Sequence, residues 1–291
     1  MKTIISIVLS TLVLVATAPF AQAQNAGHGH HGASKEIKAP DWTKNPLLTS
    51  IGRYSRTGAT FQAYNMHAMQ AGYVVSYSGN DDQASGNDDQ ALQSATHEIS
   101  VDDSGKLALK MQKDGGYYLV QVLGHGPGGE EATASTLKYF SKPGPAPRDM
   151  LNAQRPGFEI APAILPREHS RYRENQTWPF RVRMNGHPVA GATVTIETSN
   201  NTKTHYMTDD QGVVEITFPE DLPDIPKDQW RHGRPPASEF VLSVRDGALL
   251  ATFNGKYSLD AYGNKNLWAG VGFAVLGMIA AVPVVRRRKQ A

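Results

Sequence analysis

The sequence predicts an all-β body of two sandwich-like units, set between an export signal and a single C-terminal transmembrane helix. Three observations carry this. From Thr60 onward, apolar residues recur with a period of two rather than 3.6. Turn residues break those runs at about the 8–12-residue spacing of a sandwich. Both chain ends carry uncharged apolar runs flanked by topology signals.

At the amino end, "MK" precedes the apolar run Ile4 to Ala18 and the small-residue site Ala21–Ala23, the pattern of a secretory signal peptide over 1–23. Residues 24–59 then form a histidine-containing leader. Strands are expected at "YVVSY" (73–77), "EISV" (98–101), "KLALKM" (106–111) and "YYLVQVL" (117–123), within a first unit over 60–142. "VDDSGK" turns between two of them, with Gly105 free to take positive φ. Residues 143–157 read as a linker, because Pro143, Pro145 and Pro147 can neither pair in a sheet nor continue a helix.

A second unit follows over 158–266. "TWPFRVRM" places Trp178, Phe180, Val182 and Met184 on a core face and Arg181 and Arg183 on a solvated one. Asn185 and Gly186 turn the chain. Ala192, Val194 and Ile196 then point inward, and "TDDQG" (208–212) turns into Val214, Ile216 and Phe218. The proline-rich, charged passage 219–237 interrupts the unit as a long loop. Leu267 to Val285 holds no charge and as a helix would span about 28 Å, enough to cross a bilayer. "RRRK" in the tail 286–291 is a positive-inside signal, so the chain is expected in the inner membrane, single-pass, with its body in the periplasm and its C-terminus in the cytoplasm.

The formal charge of +2 arises at the ends. Without Lys2 and the four tail cations, 24 basic residues face 27 acidic ones, which excludes the clustered positive surface that nucleic acid requires. The chain has no cysteine, hence neither disulfides nor thiolate chemistry. No HExxH helix and no GxSxG elbow occurs, and no enzyme is expected. "GHGPGG" (124–129) matches a dinucleotide-loop pattern, but Pro127 and the absence of βαβ units make it a connection between strands.

Histidine chemistry is the remaining signal. His28, His30 and His31 in "GHGHHG" are spaced by glycine so that several imidazoles can turn to one divalent ion. The plainer reading is a solvated leader with incidental metal affinity. "NMHAM" offers His67 and Met69, which share a face in a regular strand, with Met66 pointing away. Thioether and imidazole together suit copper, whereas two core methionines beside a satisfied histidine would be purely structural. The tandem "SGNDDQA" of residues 78–91 supplies four carboxylates that hard cations would accept, but it lacks the EF-hand ligand order and reads as a duplicated solvent loop.

"FEIAPAILP", "FRVRMNGHPVAGATVTIET" and "MTDDQGVVEITFP" resemble a bacterial periplasmic immunoglobulin-like family of poorly defined function that includes nickel and cobalt uptake accessory proteins. The likeness covers roughly residues 60–220. It implies two immunoglobulin-like sandwiches and an exported, metal-associated protein, often with a C-terminal anchor. Many members begin the mature chain with a histidine close to a strand, whereas here the looser "QNAGHGHHG" comes first. The expectation is therefore a membrane-anchored accessory protein for transition-metal uptake. Nickel or cobalt is favoured and copper is compatible, with a metal transporter or envelope receptor as partner. The alternative is an immunoglobulin-like interaction or scaffold module without metal chemistry.

Overall fold

The computed structural model describes residues 39–52, 55, 57–76, 96–111, 116–140, 147–155, 157–166 and 171–259. The expected signal peptide, the leader histidines, the SGNDDQA repeat and the 267–285 span lie outside them. Among the described residues no helix is long and apolar enough to cross a membrane. Among the described residues the fold is all-β apart from a one-turn helix and two short 3-10 turns.

The strands fall into three sheets. β1 (Leu47–Ile51), β2 (Gly58–Tyr64) and β5 (Lys106–Lys110) form an antiparallel three-stranded sheet. In a second sheet, β10 (Thr177–Met184) pairs with β8 (Phe158–Pro162), β11 (His187–Pro188) and β14 (Val213–Thr217). The third sheet is long. It runs through β13 (Lys203–Met207), β12 (Thr193–Thr198), β15 (Ala237–Asp246), β16 (Leu249–Ser258), β7 (Glu131–Tyr139), β6 (Tyr117–His125), β3 (His67–Ser76) and β4 (Thr96–Ile99), with β9 (Tyr172–Arg173) beside the end of β16.

Turn chemistry closes the hairpins as their residues dictate. In "DDSGK" the Asp102 carboxylate accepts from the N–H groups of Ser104 and Lys106, and in "DDQGV" Asp209 accepts from Gln211 and Val213. Each turn then needs a residue at positive φ, supplied by Gly105 (φ 79) and Gly212 (φ 67). Asn185 (φ 51) and Gly186 (φ 81) make the tight turn from β10 to β11.

The two sets of strands meet edge to edge, since β7 runs parallel to β16 with Glu131 opposite Leu249 and Thr136 opposite Asn254. Two hydrophobic clusters fill opposite faces of the shared sheet. On β6, Tyr118, Val120 and Val122 pack with Leu48, Phe61, Leu107 and Leu109 of the three-stranded sheet, while the intervening Leu119 joins the other cluster. Both faces of β6 are thus covered, which is why "YYLVQVL" carries so few polar residues. The larger cluster centres on aromatic rings. Tyr172 stacks at 4.9 Å on Phe218 and meets Phe240 edge-on at 5.5 Å.

Two regions differ from the sequence expectation. Part of the expected leader is built into the fold. Asn254 accepts from the Leu48 N–H and donates to the Leu48 carbonyl, both at 2.9 Å, mimicking a ladder pair, and Thr252 donates to the Pro46 carbonyl. Within the expected linker, α1 (Arg148–Asn152) buries Met150 and Leu151.

That helix is held by charge. Arg183, expected on a solvated face, is buried opposite Glu159 across the β8–β10 pair. Glu159 takes Arg155 Nε at 2.6 Å on one oxygen and Arg183 Nη2 at 2.7 Å on the other, and Gln121 of β6 also donates to it. The same guanidinium groups donate to the carbonyls of Met150, Leu151 and Asn152, the acceptors a helix end leaves unpaired. A period-two pattern assigns a face but cannot reveal that a second charge waits there.

Candidate metal centre

Of the five sequence-derived metal candidates, two, His67 and Met69, lie among the described residues. His28, His30 and His31 lie outside the described residues. His67 opens β3, just after Asn65 at φ 56. Its neighbour Ala68 sits at φ 46, and the β3–β6 register shifts between His67 and Ala71. A regular ladder continuing from Ala71 opposite Leu123 would set Met69 opposite His125. The irregularity puts His67 there instead.

The consequence is a cross-strand pair of imidazoles. The rings of His67 and His125 stack with centroids 5.8 Å apart and planes inclined by 30°. His67 is exposed and His125 half-buried. Opposed side chains in an antiparallel pair lie close enough to share a ligand, so rotation of the side chains suffices to turn two ring nitrogens toward one ion.

Met69 does not join them. It packs with Met66 against the smaller hydrophobic cluster, and a Cβ built on Gly124 would meet its Cγ at 3.2 Å. Met69 therefore lies on the side-chain face of Gly124, opposite to that of the adjacent His125. The sequence expectation that His67 and Met69 share a face fails because Ala68 interrupts the alternation. His125 was legible only as an isolated histidine, since its partner depends on that register slip.

The other described histidines stand apart from this pair. His205 Nδ1 bonds to the Thr195 hydroxyl at 2.9 Å, His97, His187 and His232 are exposed, and His232 is at φ 55. Among the described residues no group of three or more histidine, cysteine, aspartate or glutamate residues converges on one point. The pair is therefore a two-donor platform whose remaining ligands would be water or side chains from elsewhere. Neutral imidazole suits nickel, cobalt, copper and zinc alike, so the donor set fits a divalent transition metal without selecting one.

No family model and no curated protein matches the chain. Among solved structures it is similar to a 1.5-MDa bacterial ice-binding adhesin, with 11% identity over 74% of this chain and 65% of that one and a TM-score of 0.24. It is also similar to a two-domain fibronectin type-III segment of chicken tenascin, with 10% identity over 74% of this chain and 99% of that one and a TM-score of 0.21. Four immunoglobulin domains of Dscam1 match with 10% identity over 75% and 52% and a TM-score of 0.21. The chain spans less than two thirds of the length of the adhesin.

Proposed function

We propose that the protein is a membrane-anchored periplasmic accessory protein that holds a divalent transition metal through imidazole and passes it to an uptake system. Its body is read as two immunoglobulin-like sandwich units sharing a sheet, and its 267–285 segment as the single inner-membrane anchor. It is assigned no catalytic step. The observation that supports the metal reading is the stacked His67–His125 pair, set at the surface by a backbone irregularity rather than buried in a hydrogen-bond network. The leader histidines His28, His30 and His31 supply the other half of the reading, and nickel or cobalt is the favoured cargo from the family resemblance.

The test is calorimetric titration of the full chain in detergent with nickel, cobalt, copper and zinc. It is repeated on His67→Ala/His125→Ala and on His28→Ala/His30→Ala/His31→Ala. Shared use of the strand pair and the leader histidines requires that each set of changes weaken binding. Should no ion bind more tightly than about micromolar, the metal function is lost and an envelope interaction module takes its place. Binding indifferent to the first set would move the site to the leader alone.

A further inference from the structure

Beyond any metal function, the molecule carries a cleft that no part of that reading uses. β16 leaves β7 after Asn254 and is flanked instead by β9, with Tyr257 opposite Tyr172. The strands part, and between their ends opens a cavity of about 1010 Å³, larger than most pockets for small ligands. Leu137 to Tyr139 of β7 form one wall, and Gly255 to Ser258 of β16 form the other.

Its chemistry is layered. The apolar surface open inside it is the half-buried Trp42, Leu137, Tyr139 and Leu259, backed by the core residues Leu48, Phe61 and Phe253. The rim is cationic at its mouth, where Arg171 and Arg234 stand, and Glu239 is the single acid among the described lining residues. Glu239 is already matched by Lys256 at 2.9 Å. Arg171 and Arg234 are exposed at the mouth. Trp230 overhangs from the long proline-rich loop, its indole N–H fixed by the Ile225 carbonyl at 2.9 Å.

We infer that this cleft binds an extended acidic peptide segment of an envelope partner. Successive side chains of an extended peptide point to opposite sides, so one that alternates apolar and acidic residues presents apolar groups to the apolar lining and carboxylates to the rim. An acidic polysaccharide offers the charge without the apolar alternation, and a basic peptide would be repelled. Charge complementarity thus selects the occupant, and the half-buried apolar lining supplies an affinity that salt does not abolish.

The test uses the full chain in detergent and a fluorescein-labelled nonapeptide alternating valine with glutamate. A counterpart carries lysine for each glutamate, and polygalacturonate serves as the glycan competitor. Saturable binding of the acidic peptide is expected, with affinity falling about ten-fold or more in Arg171→Glu/Arg234→Glu and in Trp230→Ala. All three residues are at least partly exposed, and an unchanged unfolding temperature would confirm that each variant is folded. Equal binding of the lysine peptide, affinity unmoved in both folded variants, or polygalacturonate that displaces the peptide and binds more tightly than the peptide does would each overturn the proposal. If all variants keep metal binding while losing the peptide, the cleft and the imidazole pair are separate sites.

Discussion

Glu159→Gln is the sharpest probe of how the body is held together. Glu159 is 1% exposed, and Arg155 and Arg183 are each 4% exposed, so one carboxylate compensates two buried guanidinium groups. One oxygen accepts from Arg155 and Gln121, and the other faces Arg183. An amide of the same shape offers one acceptor and one donor. In either orientation its NH2 opposes a guanidinium, and the central negative charge is gone. Removing one partner of a buried ion pair costs about 3–5 kcal/mol, because the remaining charge stays out of water. For a body of this size that corresponds to roughly 6–20 °C of unfolding temperature. Urea unfolding followed by tryptophan fluorescence measures it, since Trp178 packs against the same core. The companion variant Arg155→Met/Glu159→Leu/Arg183→Met removes all three charges together and is expected to recover most of the loss. A Glu159→Gln cost below about 1 kcal/mol, or a triple variant no better than the single one, would refute the claim that these charges depend on one another.

Three further outcomes follow from the geometry. Asn254→Leu leaves the Leu48 N–H and carbonyl without their amide partner and should cost about 2–4 kcal/mol by urea unfolding, with faster proteolysis of the segment before β2. Gly212→Ala should cost more than Gly191→Ala although both sit at φ 67. A Cβ at 212 would press to 2.7 Å from the Val182 carbonyl, whereas 191 faces open space, so the difference should be on the order of 2 kcal/mol. Asp221 is the pH probe. Burial alone would raise its pKa, but hydrogen bonds from Tyr257, Thr202, Thr198 and Asn200 outweigh it and hold the carboxyl below its usual range. A depressed folded pKa contributes stability that is complete above the unfolded value of about 3.9 and is lost as pH falls through the folded one. Wild type should therefore lose stability below about pH 4 more steeply than Asp221→Asn, measured as unfolding midpoints across a pH series.

What the sequence made legible was local. The Asp-x-x-Gly turns at Asp102 and Asp209 and the Asn185–Gly186 turn announce themselves, because their donors, acceptors and positive φ all lie within five residues. The alternation of Val194 and Ile196, or of Val214, Ile216 and Phe218, is equally visible, since each strand presents one face to a core. Pattern failed where both faces are covered or where a distant partner decides. Arg183 reads as solvated until Glu159 is placed opposite it, a pairing 24 residues away in sequence that only the β8–β10 register creates. The parallel meeting of β7 with β16 joins strands more than a hundred residues apart, and nothing local in "EATASTLKY" signals it.

The imidazole pair shows the same limit acting on function. "NMHAM" suggests His67 with Met69 because a regular strand alternates without interruption. Ala68 at φ 46 breaks that assumption, and the slip of the ladder exchanges a thioether for a second imidazole as the partner of His67. The exchange changes the expected chemistry. A thioether beside an imidazole leans toward reduced copper, whereas two imidazoles accept the borderline divalent ions and leave selection to whatever completes the coordination. A change of Ala68 to glycine, which takes positive φ without penalty, should leave the pair and its metal affinity intact. Ala68→Val, a β-branched residue that resists that conformation, should favour the regular ladder and bring Met69 toward His125. Titration with nickel and with reduced copper would then separate the two variants. If valine leaves the preference between those ions unchanged, the backbone irregularity is not what sets the donor pair.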